Sequence, residues 1–342
     1  MNLNRAWLRP AVPIGLVLTL LLAACGPAGT GSQSGAGGES GEIFVSGSST
    51  VEPITNRVAE TYAEDHTDFA YTVEGPGTGD GFALFCNGET DISDASRAIS
   101  EEEVAACEEG GIEYVELLVA YDGLSVITST ENEDIECLSF LDLYALLGPE
   151  SEGFDSWSDA DELAAELAAE LGTEYGESHA PYPDAPLAPT APGEESGTFD
   201  SFVEIALTGI AEARGLEPTT RPDYTASAND NVIIEAVAGS PSSLGWVGLA
   251  FASEAEGITS VPVDGGSGCV EPSDATVADE SYPISRPLFI YPNLASVEEN
   301  PAVAPFVDFY VSADGLALAG EVGYVSLTEE QGQATRDAWE AR

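Results

Sequence analysis

The sequence contains no lysine. Its 9 basic residues are all arginines, set against 61 aspartates and glutamates, and the formal net charge is −52 at neutral pH. So little positive charge excludes the phosphate-neutralising surfaces that nucleic acids and anionic membranes require. Cysteine never occurs as CxxC, and the two histidines, His66 and His179, stand far apart. Both facts argue against a zinc site, and no metal or cofactor is expected. Disorder is excluded as well, because hydrophobic residues make up 43% of the chain and aromatics 8%. The acidic residues are scattered over amphipathic segments and form no tail. Solvated acidic faces over normal cores indicate adaptation to high salt, where the Debye length falls to roughly 3 Å at 1 M.

The only long apolar run lies at the N-terminus. Arg5 and Arg9 precede an apolar stretch from Ala11 to Leu21, and Leu22-Ala23-Ala24-Cys25 reads as a lipobox. The run is short for the ~20 residues of a spanning helix. Residues 1–24 therefore read as a lipoprotein signal peptide, with Cys25 acylated (palmitate included) as the mature N-terminus. Cleavage removes two arginines and no acid, so the mature charge becomes 7 − 61 = −54. Residues 25–42, rich in Gly, Ser and Ala, form a flexible tether.

At 342 residues the chain can bury two cores of domain size. From Ile43 onward strand and helix patterns alternate, which predicts an α/β fold with a mixed sheet flanked by helices. Strands are expected at 43–45, 69–73, 115–120, 124–128, 244–249 and 287–291. Helices are expected at 50–63, 79–87, 101–109, 139–147, 199–213, 229–239, 301–312 and 328–340. Residues 149–193 interrupt this order as a surface excursion, a charged helix followed by a Pro-rich loop. Both histidines read as surface residues. Beyond Cys25 four cysteines remain, an even number suited to two disulfides outside the cytoplasm. Three pairings are open. Cys86 and Cys107 flank one loop-and-helix unit, which favours Cys86–Cys107 and Cys137–Cys269.

Three turns rich in glycine and hydroxyl groups each stand at a predicted helix start. They are Ser46-Gly-Ser-Ser-Thr-Val-Glu-Pro53, Gly75-Pro-Gly-Thr-Gly-Asp-Gly81 and Glu195-Ser-Gly-Thr198. Ser49 and Thr50 are natural N-cap residues, and a helix start carries unpaired N–H groups that suit an anion. Thr90-Asp-Ile-Ser-Asp-Ala-Ser-Arg97 adds a fourth element. Arg97 offers a fork of donors for an oxyanion. Asp94 is an acceptor only, and would admit an oxyanion bearing a proton while penalising a bare one.

Together these segments resemble the phosphate-binding proteins of ABC phosphate importers, as do Tyr224-Thr-Ala-Ser227, Leu244-Gly-Trp246 and Arg286-Pro-Leu-Phe-Ile290. The resemblance runs from residue 43 to about 325. It implies a two-lobed periplasmic-binding-protein type II fold with a hinge of crossing strands. Lobe 1 would comprise 43–122 plus 270–342, and lobe 2 would comprise 123–269. It implies phosphate ligands Ser49, Thr50, Thr78, Asp94 and Arg97 from the first lobe, and Ser196, Gly197 and Thr198 from the second. The implied partners are phosphate and the permease subunits of an importer, and the protein would act as a lipid-anchored monomer outside the cytoplasm. Many members carry an Arg four residues before Ser-Gly-Thr, where this chain has Pro192. Arg97 would then be the only cation in the pocket.

Two other readings compete. The ligand could be molybdate, tungstate or sulfate, but a site for a fully deprotonated dianion should lack a carboxylate such as Asp94. A secreted phosphatase or serine hydrolase using Ser49 or Ser196 would need a base, and neither histidine belongs to the constellation. No enzyme activity is expected.

Overall fold

The computed structural model describes residues 41–194 and 196–342. The expected lipobox, Cys25 and most of the tether lie outside those residues. No helix among the described residues is long and apolar enough to cross a membrane.

The fold is a mixed α/β arrangement around one long, curled sheet. Its strands are β1 (Gly41–Gly47), β2 (Phe69–Glu74), β3 (Ile92–Ala95) and β4 (Leu117–Ser129), then β5 (Ala188–Ala191), β6 (Thr225–Ala226), β7 (Ser243–Gly248), β8 (Ile258–Ser260) and β9 (Ser285–Pro292). Their order is β2-β1-β3-β9-β4-β7-β5-β6, with β8 also paired to β4. β1 pairs in parallel with β2 and β3, whereas β9 runs antiparallel to both β3 and β4. The expected strands at 115–120 and 124–128 are one strand of 13 residues. Tyr121, Asp122 and Gly123, between the two expected strands, stay in the ladder, with Asp122 opposite Arg286 of β9.

β4 changes partners along its length. Its first half pairs with β9 and its second half with β7 and β8. The two large cores separate around it. One core gathers Ile43, Val45, Ile54, Val58, Phe306 and Tyr310. The other gathers Leu141, Leu146, Trp157, Phe202 and Trp246, and it also takes in Val277, Tyr282 and Ile284.

The helices include α1 (Glu52–Asp65), α2 (Thr78–Cys86), α3 (Glu101–Gly110), α4 (Phe140–Leu147), α5 (Asp161–Leu171) and α6 (Gly197–Phe202). Ile54, Val58 and Tyr62 bury one face of α1, as the spacing predicts. The single helix expected over 199–213 contains a π-helical turn at Val203–Leu207. There the Thr208 hydroxyl donates to the Val203 carbonyl at 3.0 Å. Both expected disulfides are present, Cys86–Cys107 and Cys137–Cys269, with Cα separations of 4.2 and 6.2 Å.

His179 is exposed, as its Pro-rich setting suggests, but it is not isolated. Its Nδ1 lies 2.6 Å from the buried Asp142 carboxylate, which also accepts from the Tyr182 hydroxyl. Hydrogen bonding to Asp142 raises the imidazole pKa above its ordinary value. Cys137 and Cys269 lie close to His179, but their sulfurs are joined to each other.

Candidate functional site: a hydroxyl-lined anion cavity

The carboxyl ends of β2, β1 and β3 lie side by side, and the chain turns into α1 and α2 from two of them. Crevices at such strand ends are the common ligand position in open α/β sheets. Gly47 closes β1 with φ 156°, and a Cβ there would overlap the Asp94 carbonyl. That close approach lets Ser48 N–H donate to the Asp94 carbonyl at 2.9 Å and Gly77 N–H donate to the Gly47 carbonyl at 2.9 Å. The turns after β1 and β2 are thereby fastened to the end of β3.

A cavity of about 330 Å³ opens over this junction. From the strand ends come Ser48, Ser49, Thr50, Gly77, Thr78 and Gly79, with Ser96 and Arg97 from the end of β3. Asp200 of α6 and Glu204 of the following turn line the opposite wall. Thr78 and Ser96 are tied together: the Ser96 N–H donates to Thr78 Oγ1 at 3.2 Å, and the two hydroxyls lie 3.1 Å apart.

Ser49 and Thr50 do not cap α1, as their residue type suggested. The helix begins after Val51 without a side-chain cap, and the Ser48 carbonyl accepts from both Val51 and Glu52 N–H. Their hydroxyls instead reach across to α6. Ser49 Oγ donates to Asp200 Oδ2 at 2.8 Å, and Thr50 Oγ1 lies 3.2 Å from Ser201 Oγ.

Of the expected ligand residues, Ser49, Thr50, Thr78 and Arg97 line the cavity. Ser196, Gly197 and Thr198 sit just behind the wall. Ser196 Oγ caps α6 by accepting from Thr198 N–H at 3.2 Å. Gly197 packs against the Ser49–Thr50 backbone, where a Cβ would lie 3.1 Å from the Ser49 carbonyl oxygen.

Asp94 departs from expectation. It does not line the cavity, is fully buried in β3, and faces Thr55 of α1 beside Tyr310. Burial pushes its carboxyl up to about 7, opposed in part by the Thr55 hydroxyl and aided by the nearby Glu52 charge.

Arg97 is the one arginine that lines the cavity, but it is already engaged. Its two terminal nitrogens each donate to Glu103 at 2.7 Å, and this pairing raises its pKa. A second guanidinium, Arg286, lies behind Thr50. Its Nη2 donates to Thr50 Oγ1 at 3.0 Å and to Ser201 Oγ at 2.7 Å, and its Nη1 donates to Glu204 at 2.5 Å. Asp122 Oδ2 stands 3.5 Å from its Nε. Desolvation raises the Asp122 pKa, with Arg286 pulling it back. Ser48, Ser96, Asp200, Glu204 and Arg286 received no role from the sequence. Ser48 and Ser96 belong to segments already singled out, and Arg286 opens the Arg-Pro-Leu-Phe-Ile segment. Asp200 and Glu204 carried no signal beyond a helical spacing of four.

Residues 32–314 match a PBP superfamily domain. The chain belongs to that superfamily. A relative named Protein SphX, from Synechocystis sp., is 37% identical over 94% of this chain and 86% of its own length. The phosphate-binding protein PstS of Staphylococcus aureus is 31% identical over 91% of this chain and 86% of its own. Among solved structures, a possible phosphate-binding protein from Planctomyces limnophilus is similar with a TM-score of 0.76 and 35% identity. That similarity covers 88% of this chain and 98% of the neighbour. The family is one of extracytoplasmic substrate-binding proteins of phosphate transport, not of enzymes.

Proposed function

We propose that this protein captures inorganic phosphate in the hydroxyl-lined cavity and delivers it to the permease subunits of an ABC importer. The observation that carries the reading is the convergence of Ser49, Thr50, Thr78, Ser96 and Arg97 on one cavity. Hydroxyls and a guanidinium suit a small oxyanion, each charge-assisted bond being worth about 1.5–3 kcal/mol. The names and titles of the relatives support phosphate as that oxyanion. Ser196, Gly197 and Thr198 would join the ligand set when the two lobes close further around β4 and β9. In this reading 43–122 with 270–342 forms one lobe and 123–269 the other, except that Val277, Tyr282 and Ile284 pack into the core of the second. A closed, monomeric form would be what the permease recognises.

Cys25 would hold the protein at the outer face of the cell membrane. Cys25→Ala should release it from the membrane fraction or leave the precursor unprocessed. A variant as firmly bound as the wild type would exclude the anchor. For the ligand, calorimetric titration of the chain with phosphate and then with sulfate is the test. Binding of phosphate with little response to sulfate is expected, whereas equal responses would rule out a phosphate-selective site.

A further inference from the structure

We propose that reduction of the Cys137–Cys269 disulfide opens a zinc site whose protein ligands are Cys137 Sγ, Cys269 Sγ and His179 Nε2. The site shares no residue with the anion cavity and does not depend on the phosphate reading.

The three ligand atoms lie within 4.8 Å of one another. Cys269 Sγ is 3.9 Å from His179 Nε2. Tetrahedral zinc, with Zn–S near 2.3 Å and Zn–N near 2.1 Å, sets a sulfur and a nitrogen about 3.6 Å apart. That edge of the site is therefore already close to its length. The two sulfurs need about 3.8 Å between them, which only reduction allows. Cys137 and His179 stand 132 and 90 residues from Cys269 in sequence, so no CxxC-type spacing announces the cluster.

Asp142, in the first turn of α4, orients the histidine. Its Oδ2 accepts from His179 Nδ1 at 2.6 Å, and its Oδ1 accepts from the His179 backbone N–H at 2.9 Å. A carboxylate only accepts, so Nδ1 carries a proton and Nε2 is the nitrogen left for a metal. Carboxylate, histidine and metal in line is the usual support of a zinc-bound imidazole. The other supports do not run through the S–S bond. Leu138–Ser139, next to Cys137, and Cys269–Val270 both pair with the short strand Val263–Asp264. Asp264 accepts from Gly266 and Gly268 N–H at 2.8 Å, just ahead of Cys269, and from Glu177 N–H at 3.2 Å, just ahead of His179. The ligands thus keep their places once the bond is broken. A cavity of about 200 Å³ beside Cys137 and His179 also carries Asp134 and Glu136, acidic walls that attract a cation.

A dithiol supplies the two electrons and two protons that convert the disulfide to two thiols, and closes its own disulfide in exchange. Zinc then binds the sulfurs as thiolates, and their protons, with any on Nε2, pass to solvent. Disulfide and zinc are mutually exclusive staples between residues 137 and 269.

The test uses the full chain at about pH 8, reduced with a dithiol that is then removed under nitrogen. Molar salt and excess magnesium occupy the surface carboxylates, which prefer hard cations, and leave thiolate and imidazole to zinc. One zinc per reduced chain is expected, with none bound by the oxidised chain. Cobalt(II) in place of zinc should give the intense visible bands of a tetrahedral site and thiolate charge-transfer bands. His179→Ala and Cys269→Ser should each weaken zinc by at least about tenfold, the scale of even an outer-shell loss, with circular dichroism unchanged. Equal uptake by oxidised and reduced chains, or none by the reduced chain, would overturn the proposal. So would cobalt spectra unaltered in either variant. Should the reduced chain unfold, zinc must refold it; failure to do so would also overturn the proposal.

Discussion

Thr50 and Arg286, 236 residues apart in sequence, are joined by a hydrogen bond of 3.0 Å from the guanidinium to the threonine hydroxyl. The same nitrogen reaches Ser201, so one buried side chain on β9 links the turn after β1 to helix α6. Arg286→Ala should therefore leave Asp122 buried without a counter-charge and release both hydroxyls. Removing one partner of a buried pair costs about 3–5 kcal/mol. Thermal unfolding should show that loss, and titration should show weakened phosphate binding. Adding Asp122→Asn should recover part of the stability but not the affinity. Additive losses in that double variant would show that the two residues do not act as a pair.

Much of this arrangement is legible in the sequence where the signal is local. The Ser46–Pro53 turn announces itself by glycine, hydroxyls and the helical spacing of Val51, Ile54, Val58 and Tyr62. The two disulfides follow from an even count and one short loop. What stays hidden depends on register and alternation. Asp94 is expected in the cavity from its acceptor chemistry and the family resemblance, with Ile92–Ala95 not among the expected strands. As a strand, that segment turns Asp94 toward α1. Arg286 acquires its role because β4 and β9 align it with Asp122, a pairing that no local spacing encodes. Ser49 and Thr50 have the residue types of helix caps, yet contacts made across the cleft claim their hydroxyls instead.

Asp94 leads to a prediction about stability. Its carboxyl moves from 3.8 to about 7 on folding, chiefly through burial. Below about pH 4 both states are protonated and the residue is neutral to stability. As pH rises toward 7 the unfolded chain loses its proton while the folded chain keeps it, so stability falls. Above 7 the folded chain bears the full cost, on the order of 4 kcal/mol. Asp94→Asn should accordingly raise Tm at about pH 8 and change it little at about pH 4. Equal effects at both values would show that Asp94 does not titrate abnormally.

The disulfides should contribute unequally. Cys86–Cys107 spans a sequence separation of 21 and Cys137–Cys269 one of 132. In the chain-entropy description the first stabilises by about 3 kcal/mol and the second by about 5 kcal/mol. Paired serine variants compared by denaturant unfolding should rank in that order. A reversed ranking would mean that native-state effects outweigh loop entropy here.

Arg97 and Glu103 give the most selective test of the cavity's electrostatics. Glu103 holds Arg97 through two bonds of 2.7 Å, and it also completes the capping box of α3 with Ser100. Glutamine serves as well as glutamate in that box, so Glu103→Gln removes the charge while keeping the cap. Unpaired from a carboxylate, Arg97 should turn more of its donor capacity to the ligand. Phosphate affinity should rise several-fold at low salt, and the gain should shrink as salt screens it. Arg97→Ala should weaken phosphate and sulfate alike, because it removes the cavity's one lining guanidinium. Unchanged affinities in both variants, with α3 still folded by circular dichroism, would place the anion site elsewhere in the molecule.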